Sequence, residues 1–171
     1  MRLKDLYSGW YVLYTKSRFE KKVKDSLKDI SVETFLPQVK VVRQWSDRKK
    51  TILKPLFPSY VFVNIKSSLE LHKALLVDGA INYIRFGTEY AKITEKEIQD
   101  IKLLVGDTHI SDIKIHAKHP KVGEKKIITR GPLSGLVCEI VRANNIHKIV
   151  VNIESLRQII TATVPLYFLE E

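Results

Sequence analysis

Three Ser/Thr-x-x-Glu sequences punctuate the first 105 residues, at Ser17/Glu20, Ser67/Glu70 and Thr94/Glu97. Each has the form of a capping box, in which the hydroxyl accepts an amide proton of the first helical turn and the carboxylate reaches back. Apolar residues follow at helical spacing: Phe19, Val23, Leu27 and Ile30 after the first box, and Ile98, Ile101 and Val105 after the third. The second helix is predicted to run to about Val77, with Gly79 as its breaker. Runs rich in β-branched and aromatic residues fill the intervals. Residues 10–15 read as a strand, 33–45 as a second in which Val39 and Val41 alternate with polar neighbours, and 59–65 as a strong third. Short strands are expected at 81–86 and 90–93, around Gly87. Ser46-Asp47-Arg48-Lys49-Lys50 has the composition of a hairpin tip, and Pro55 and Pro58 bracket an irregular entry into the third strand.

The order is β-α-β-β-α-β with an extra strand and a last helix. It suits a ferredoxin-like α+β sandwich, with helices on one face of an antiparallel sheet. Residues 106–120 have weak periodicity and three histidines, and read as a linker. The tail then offers strands near 125–129, 136–142, 148–153 and 158–164. Between the first two lies Arg130-Gly131-Pro132-Leu133-Ser134-Gly135, where Pro132 fixes one backbone angle and the two glycines permit angles other residues avoid. Asn144-Asn145 supplies another turn. A small five-stranded barrel is the natural closure. The expected domains are therefore 1–105 and 121–171, joined by 106–120.

No run of about 18 apolar residues exists, so no membrane span is expected. The first six residues lack the apolar stretch of a secretory signal. Cys138 is the sole cysteine, which excludes an internal disulfide and suits the cytoplasm. The net charge of +10 suits a polyanionic partner such as nucleic acid. Residues 1–105 hold twenty Lys or Arg against twelve Asp or Glu, and the remainder nine against seven, so most of the positive field belongs to the first part.

Four segments occur in a fixed order over nearly the whole chain. They are Trp10-Tyr11-Val12-Leu13-Tyr14-Thr15, then Pro55-Leu56-Phe57-Pro58-Ser59-Tyr60-Val61-Phe62-Val63, then Ile84-Arg85-Phe86-Gly87, then Lys121-Val122-Gly123-Glu124 with the glycine-proline turn. The last has the pattern of a KOW motif, and together the four resemble the NusG family of transcription elongation and antitermination factors. The second and third segments look more like the specialised, operon-specific branch typified by RfaH. The overall character is similar to the antiterminators of capsular polysaccharide operons in Bacteroides. The resemblance implies an NGN-like first domain and a small all-β KOW barrel of SH3-like form. It implies no catalytic site, no cofactor and a monomer. The first domain would grip the clamp helices of RNA polymerase and suppress pausing or termination. The KOW domain would recruit a ribosomal protein or a termination factor.

Matched to the family motifs, the polymerase-binding candidates are Tyr14, Phe57, Tyr60, Phe62, Phe86, Ile98 and Ile101. Phe86 and Ile98 are equally readable as core. Alternation along 59–65 puts Val61, Val63 and Ile65 on one face and Tyr60 and Phe62 on the other. In a two-layer sandwich that second face is predicted to be an open aromatic patch, the kind of surface that marks a partner site. The nucleic-acid candidates are Lys16, Arg18, Lys21 and Lys22, close to the DNA in the elongation complex. Lys21, Lys24 and Lys28 share a helical stripe that is also the pattern of a solvated face. The basic hairpin Arg43–Lys54 contacts upstream DNA or nothing. The KOW turn is Gly131, Pro132, Leu133 and Gly135. Cys138 stands where that motif often has glycine, and reads as a buried packing thiol.

Two positions depart from the RfaH pattern. Glu70-Leu71-His72 stands where that branch has His-Thr-Thr, and Asp78 stands near a basic residue that reads DNA. His109, His116 and His119 lack a cysteine or carboxylate at ligand spacing, so no metal is expected. Neither a G-x-x-x-x-G-K-[ST] loop nor a G-x-S-x-G elbow is present. The rival reading is a KOW-containing RNA-binding protein of the ribosome or of translation. Such a protein should interleave aromatic and basic residues on its sheet face. The Ile, Val and Thr content of the tail favours strands over a helical resting state.

Overall fold

In the computed structural model, residues 7–116, 123–129, 131–143 and 146–169 are described. The chain divides into two units, 1–95 and 96–171. The first runs β1 (Gly9–Thr15), α1 (Glu20–Asp29), β2 (Glu33–Phe35), β3 (Gln38–Gln44), β4 (Lys49–Pro55), β5 (Tyr60–Ile65), α2 (Ser68–Leu75), β6 (Ala80–Tyr83), β7 (Arg85–Phe86), β8 (Glu89–Tyr90) and β9 (Lys92–Ile93). Its main sheet has the order β2-β5-β1-β6, with β9 also on β1, and every pairing is antiparallel. That is the split βαβ order expected from the sequence. The hairpins β3–β4 and β7–β8 form separate two-stranded ribbons.

Strand alternation decides where the core lies. Register sets Tyr11 opposite Val63 and Leu13 opposite Val61. These residues and Ile65 face Val23 and Leu27 of α1 and Leu71 and Ala74 of α2 in one buried cluster. Each large aliphatic side chain buried there contributes about 1.5–3 kcal/mol. Tyr83 joins the cluster because its hydroxyl donates to the Leu71 carbonyl at 3.0 Å. Burial pushes that phenol well above its ordinary range.

The capping boxes fare differently. Ser67 Oγ accepts from Glu70 N at 3.2 Å, as the box predicts, while Glu70 Oε2 accepts from Lys66 N at 2.8 Å, one residue before the cap. At α1 the expectation fails. Phe19 is the cap, with no side-chain hydrogen bond, and Arg18 turns through a left-handed φ of 66°. Glu20 instead accepts from Ser59 N at 2.8 Å, joining α1 to the loop before β5.

Helix α3 (Glu95–Gly106) leads into the second unit, followed by β10 (Ser111–His116), β11 (Glu124–Ile127), β12 (Val137–Ala143), β13 (Ile146–Ile153) and β14 (Gln158–Thr163). Glu97, the acid of the third Ser/Thr-x-x-Glu sequence, accepts from Ser155 N at 3.0 Å and Ser155 Oγ at 2.6 Å. The sheet order is β10-β14-β13-β12-β11. The four strands located in the tail are present, and a fifth, completing a five-stranded sheet, comes from the stretch read as a linker. In β10 the half-buried Ile113 and Ile115 alternate with exposed Lys114 and His116. A register irregularity and the left-handed Asp112 (φ 52°) interrupt that period at its start. Among the described residues no ladder joins β10 to β11, so the expected closure into a barrel is not seen. Leu133, Leu136, Ile149, Ile153 and Ile160 form the buried interior of this unit. The Asn144-Asn145 turn lies outside the described residues.

Candidate functional site

The second face of the β1–β5 pair carries the aromatic candidates. Tyr14 lies opposite Tyr60, Val12 opposite Phe62, and Phe35 of β2 opposite Phe62. The two tyrosine rings meet edge-on at 6.1 Å. The sequence predicts an open patch here, and its centre is not open. Phe62 and Phe57 are buried. Phe62 packs against Phe35 at 6.0 Å and against the edge of Phe57 at 5.5 Å. The physical cause is the Pro-bracketed loop. Leu56 N donates to Pro37 O at 2.8 Å, Tyr60 N to Phe57 O at 3.2 Å, and Thr15 N to Ser59 O at 2.8 Å. Together with the Glu20–Ser59 bond, these fix Phe57 over the sheet.

What remains accessible is an edge. Tyr14 keeps 37% of its surface and Tyr60 is half-buried. Phe86, on the separate β7–β8 ribbon, keeps 38%. Ile98 and Ile101 are fully buried on α3, which fits the core alternative for Ile98 and corrects the expectation of Ile101 as a contact residue. Tyr14, Phe57, Tyr60 and Phe62 are thus brought together, two as surface and two as their support.

The basic candidates converge on a residue that sequence reasoning did not pair with them. Asp78 takes Lys22 Nζ at 2.6 Å and Lys16 Nζ at 3.8 Å. The Lys22 hydrogen bond and charge, with Lys16 adding, hold its carboxyl below the usual carboxylate range. Both ammonium groups also stand over the Phe19 ring, at 5.6 Å for Lys16 and 5.2 Å for Lys22. Gly79 permits this arrangement. Its φ is 97°, and a Cβ there would lie 2.6 Å from Phe19 Cδ1. The three charged side chains are solvent-exposed, so their pairing is screened and readily exchanged for another anion. Arg18 and Lys21 are exposed beside this knot. No sequence signal links positions 16, 22 and 78; only the β1–α1 and α2–β6 connections bring them together.

Gly131, Pro132, Leu133 and Gly135 form a compact turn. Gly131 and Gly135 have φ of 74° and 88°. Ser134 N donates to Gly131 O at 3.1 Å and Gly135 N to Ile128 O at 2.8 Å, while Leu133 is fully buried. The turn is therefore a structural anchor, with Pro132 exposed at its tip. Cys138 is buried, and burial pushes its thiol up to about 11. Within Glu70-Leu71-His72, Leu71 belongs to the core and His72 Nδ1 meets Ser68 O at 2.8 Å. Among the described residues no three His, Cys, Asp or Glu side chains group as metal ligands; His119 lies outside them.

A family profile described as "Transcription termination factor nusG" matches residues 8–102, more than half of the chain. The chain belongs to the NusG family. Relatives named "Transcription termination/antitermination protein NusG" include that of Rickettsia felis, 26% identical over 163 residues, covering 84% of this chain and 81% of the relative. That of Rickettsia bellii is 25% identical over 133 residues, covering 72% and 68%. A solved structure described as "Domain interaction in Thermotoga maritima NusG" superposes with a TM-score of 0.52 at 23% identity, covering 93% of this chain and 94% of that one. It supports the same fold. The NusG match takes in β1 through most of α3, and so includes both the tyrosine edge and the lysine–aspartate knot.

Proposed function

We propose that this NusG-family chain is a non-enzymatic transcription elongation and antitermination factor of the specialised, RfaH-like kind. Its first unit grips the clamp helices of RNA polymerase through Tyr14 and Tyr60, with Phe57 and Phe62 supporting them from beneath and Phe86 adding a flanking contact. Lys16, Arg18, Lys21 and Lys22 meet the DNA of the elongation complex, where phosphate displaces the Asp78 carboxylate from the two lysines it holds. The sheet of the second unit presents a surface to a ribosomal protein or a termination factor. One observation carries this reading: the family match over 8–102 contains an aromatic edge that the fold leaves accessible on an otherwise filled sheet face. Large side chains of this type dominate protein–protein contacts.

Single-round transcription with purified polymerase tests it, on a template with a pause site and a terminator. Adding the full chain should shorten pauses or raise read-through. An unchanged pattern at saturating protein, across candidate leader sequences, would sink the proposal.

A further inference from the structure

The β3–β4 ribbon has no part in the function proposed above. Among the described residues its strands pair only with each other. Residues 38–55 hold six Lys or Arg against the single acid Asp47. Register sets Val41 opposite Ile52 and Arg43 opposite Lys50, and Trp45 N donates to Arg48 O at 2.8 Å to close the next rung. Cross-strand partners share a face. Arg43, Lys50, Trp45 and Arg48 therefore lie together, beyond the half-buried Val41 and Ile52. Trp45 is 49% exposed, with the Arg48 guanidinium 5.9 Å and the Lys50 ammonium 6.0 Å from its ring. Like charges directly opposite each other destabilise a hairpin, and a half-exposed indole gains little from burial. Both features become favourable once an anion with an aromatic face is bound.

We infer that the tip of this ribbon is a binding site for single-stranded nucleic acid. An unpaired base stacks on Trp45, and the flanking phosphates are held by Arg43, Arg48 and Lys50. A platform of this kind needs an aromatic ring and cations on one face, which the register supplies. A duplex keeps its bases stacked on one another and offers the indole nothing. The exposed apolar Val42 and Leu53 are on the opposite face, where a protein partner would seat instead. The inference does not depend on polymerase binding.

The test uses the full chain, titrated with ten-nucleotide oligo(dT), oligo(U) and a duplex of equal length. The same titrations in a Lys16→Ala/Lys22→Ala variant separate the knot beside α1. Tryptophan fluorescence reports the site directly, because Trp10 is buried with its indole bonded to Glu95, leaving Trp45 as the accessible fluorophore. Quenching by either single strand supports the site, and the stronger of the two identifies its source. Trp45→Ala should weaken binding about ten-fold and abolish the quench, while Trp45→Phe keeps most of the affinity. Arg48→Ala and Lys50→Ala should each flatten the slope of log K against log salt by roughly 0.7. Circular dichroism checks that each variant is folded. Unchanged affinity in all of these variants would overturn the inference. So would tighter duplex binding without quenching, or loss of binding only in Val42→Ser/Leu53→Ser.

Discussion

Asp78 stands where two lysine side chains meet, and its carboxylate competes with any phosphate they would bind. Asp78→Asn should therefore tighten DNA binding and steepen its salt dependence, by about 0.9 in slope for each lysine newly engaged with duplex phosphate. A salt series of DNA titrations on wild type and variant measures both. An unchanged slope would mean that these lysines are only solvated. Phe62 makes the opposite kind of prediction. Alternation places it on the second sheet face, and that much was readable in the sequence. Its burial was not, because the cover includes Phe57, held in a loop fixed by Glu20 from 39 residues away. Phe62→Ala is thus a core truncation and should cost about 3–5 kcal/mol in urea unfolding. A loss below about 1 kcal/mol would return Phe62 to the surface.

At the scale of elements, a motif forms only where its partner groups have no better use. Ser67 caps α2 through Glu70 N, and Ser67→Ala should cost about 1 kcal/mol of stability. Ser17 does not cap α1, so Ser17→Ala should leave the thermal midpoint nearly unchanged, and a comparable loss at both sites would contradict the assignment. The spacing at 17–20 matches the pattern, but the left-handed Arg18 and the Ser59 N–H bound to Glu20 redirect it. Strand β10 is not legible locally: its two isoleucines alternate over too short a span to stand out beside Asp112 and the three histidines nearby. The tail strands with long β-branched runs, β13 and β14, were plain. Within the tail sheet, burial raises the Cys138 thiol from 9.0 to about 11 in the folded state. The unfolded thiol ionises first as pH rises, so this group's contribution is fully present below about pH 9 and is lost between there and 11. Wild type should lose stability across that window relative to Cys138→Ala, as thermal unfolding at several pH values would show; parallel curves would contradict the burial.

Over the whole molecule, the order of elements and the four motif segments sufficed for the α+β sandwich and the NusG family. Closure of the tail sheet did not follow from them, since ladder pairing depends on contacts between distant strands that no local pattern encodes. The positive charge of the first part and the accessible tyrosine edge belong to the same matched region, residues 8–102. If polymerase is gripped through that edge, equilibrium binding of the full chain to core RNA polymerase will show it. Tyr14→Ala/Tyr60→Ala should lower the affinity by at least about 2 kcal/mol, or roughly thirty-fold, with the thermal midpoint little changed. A folded double variant that binds polymerase as tightly as wild type would contradict it.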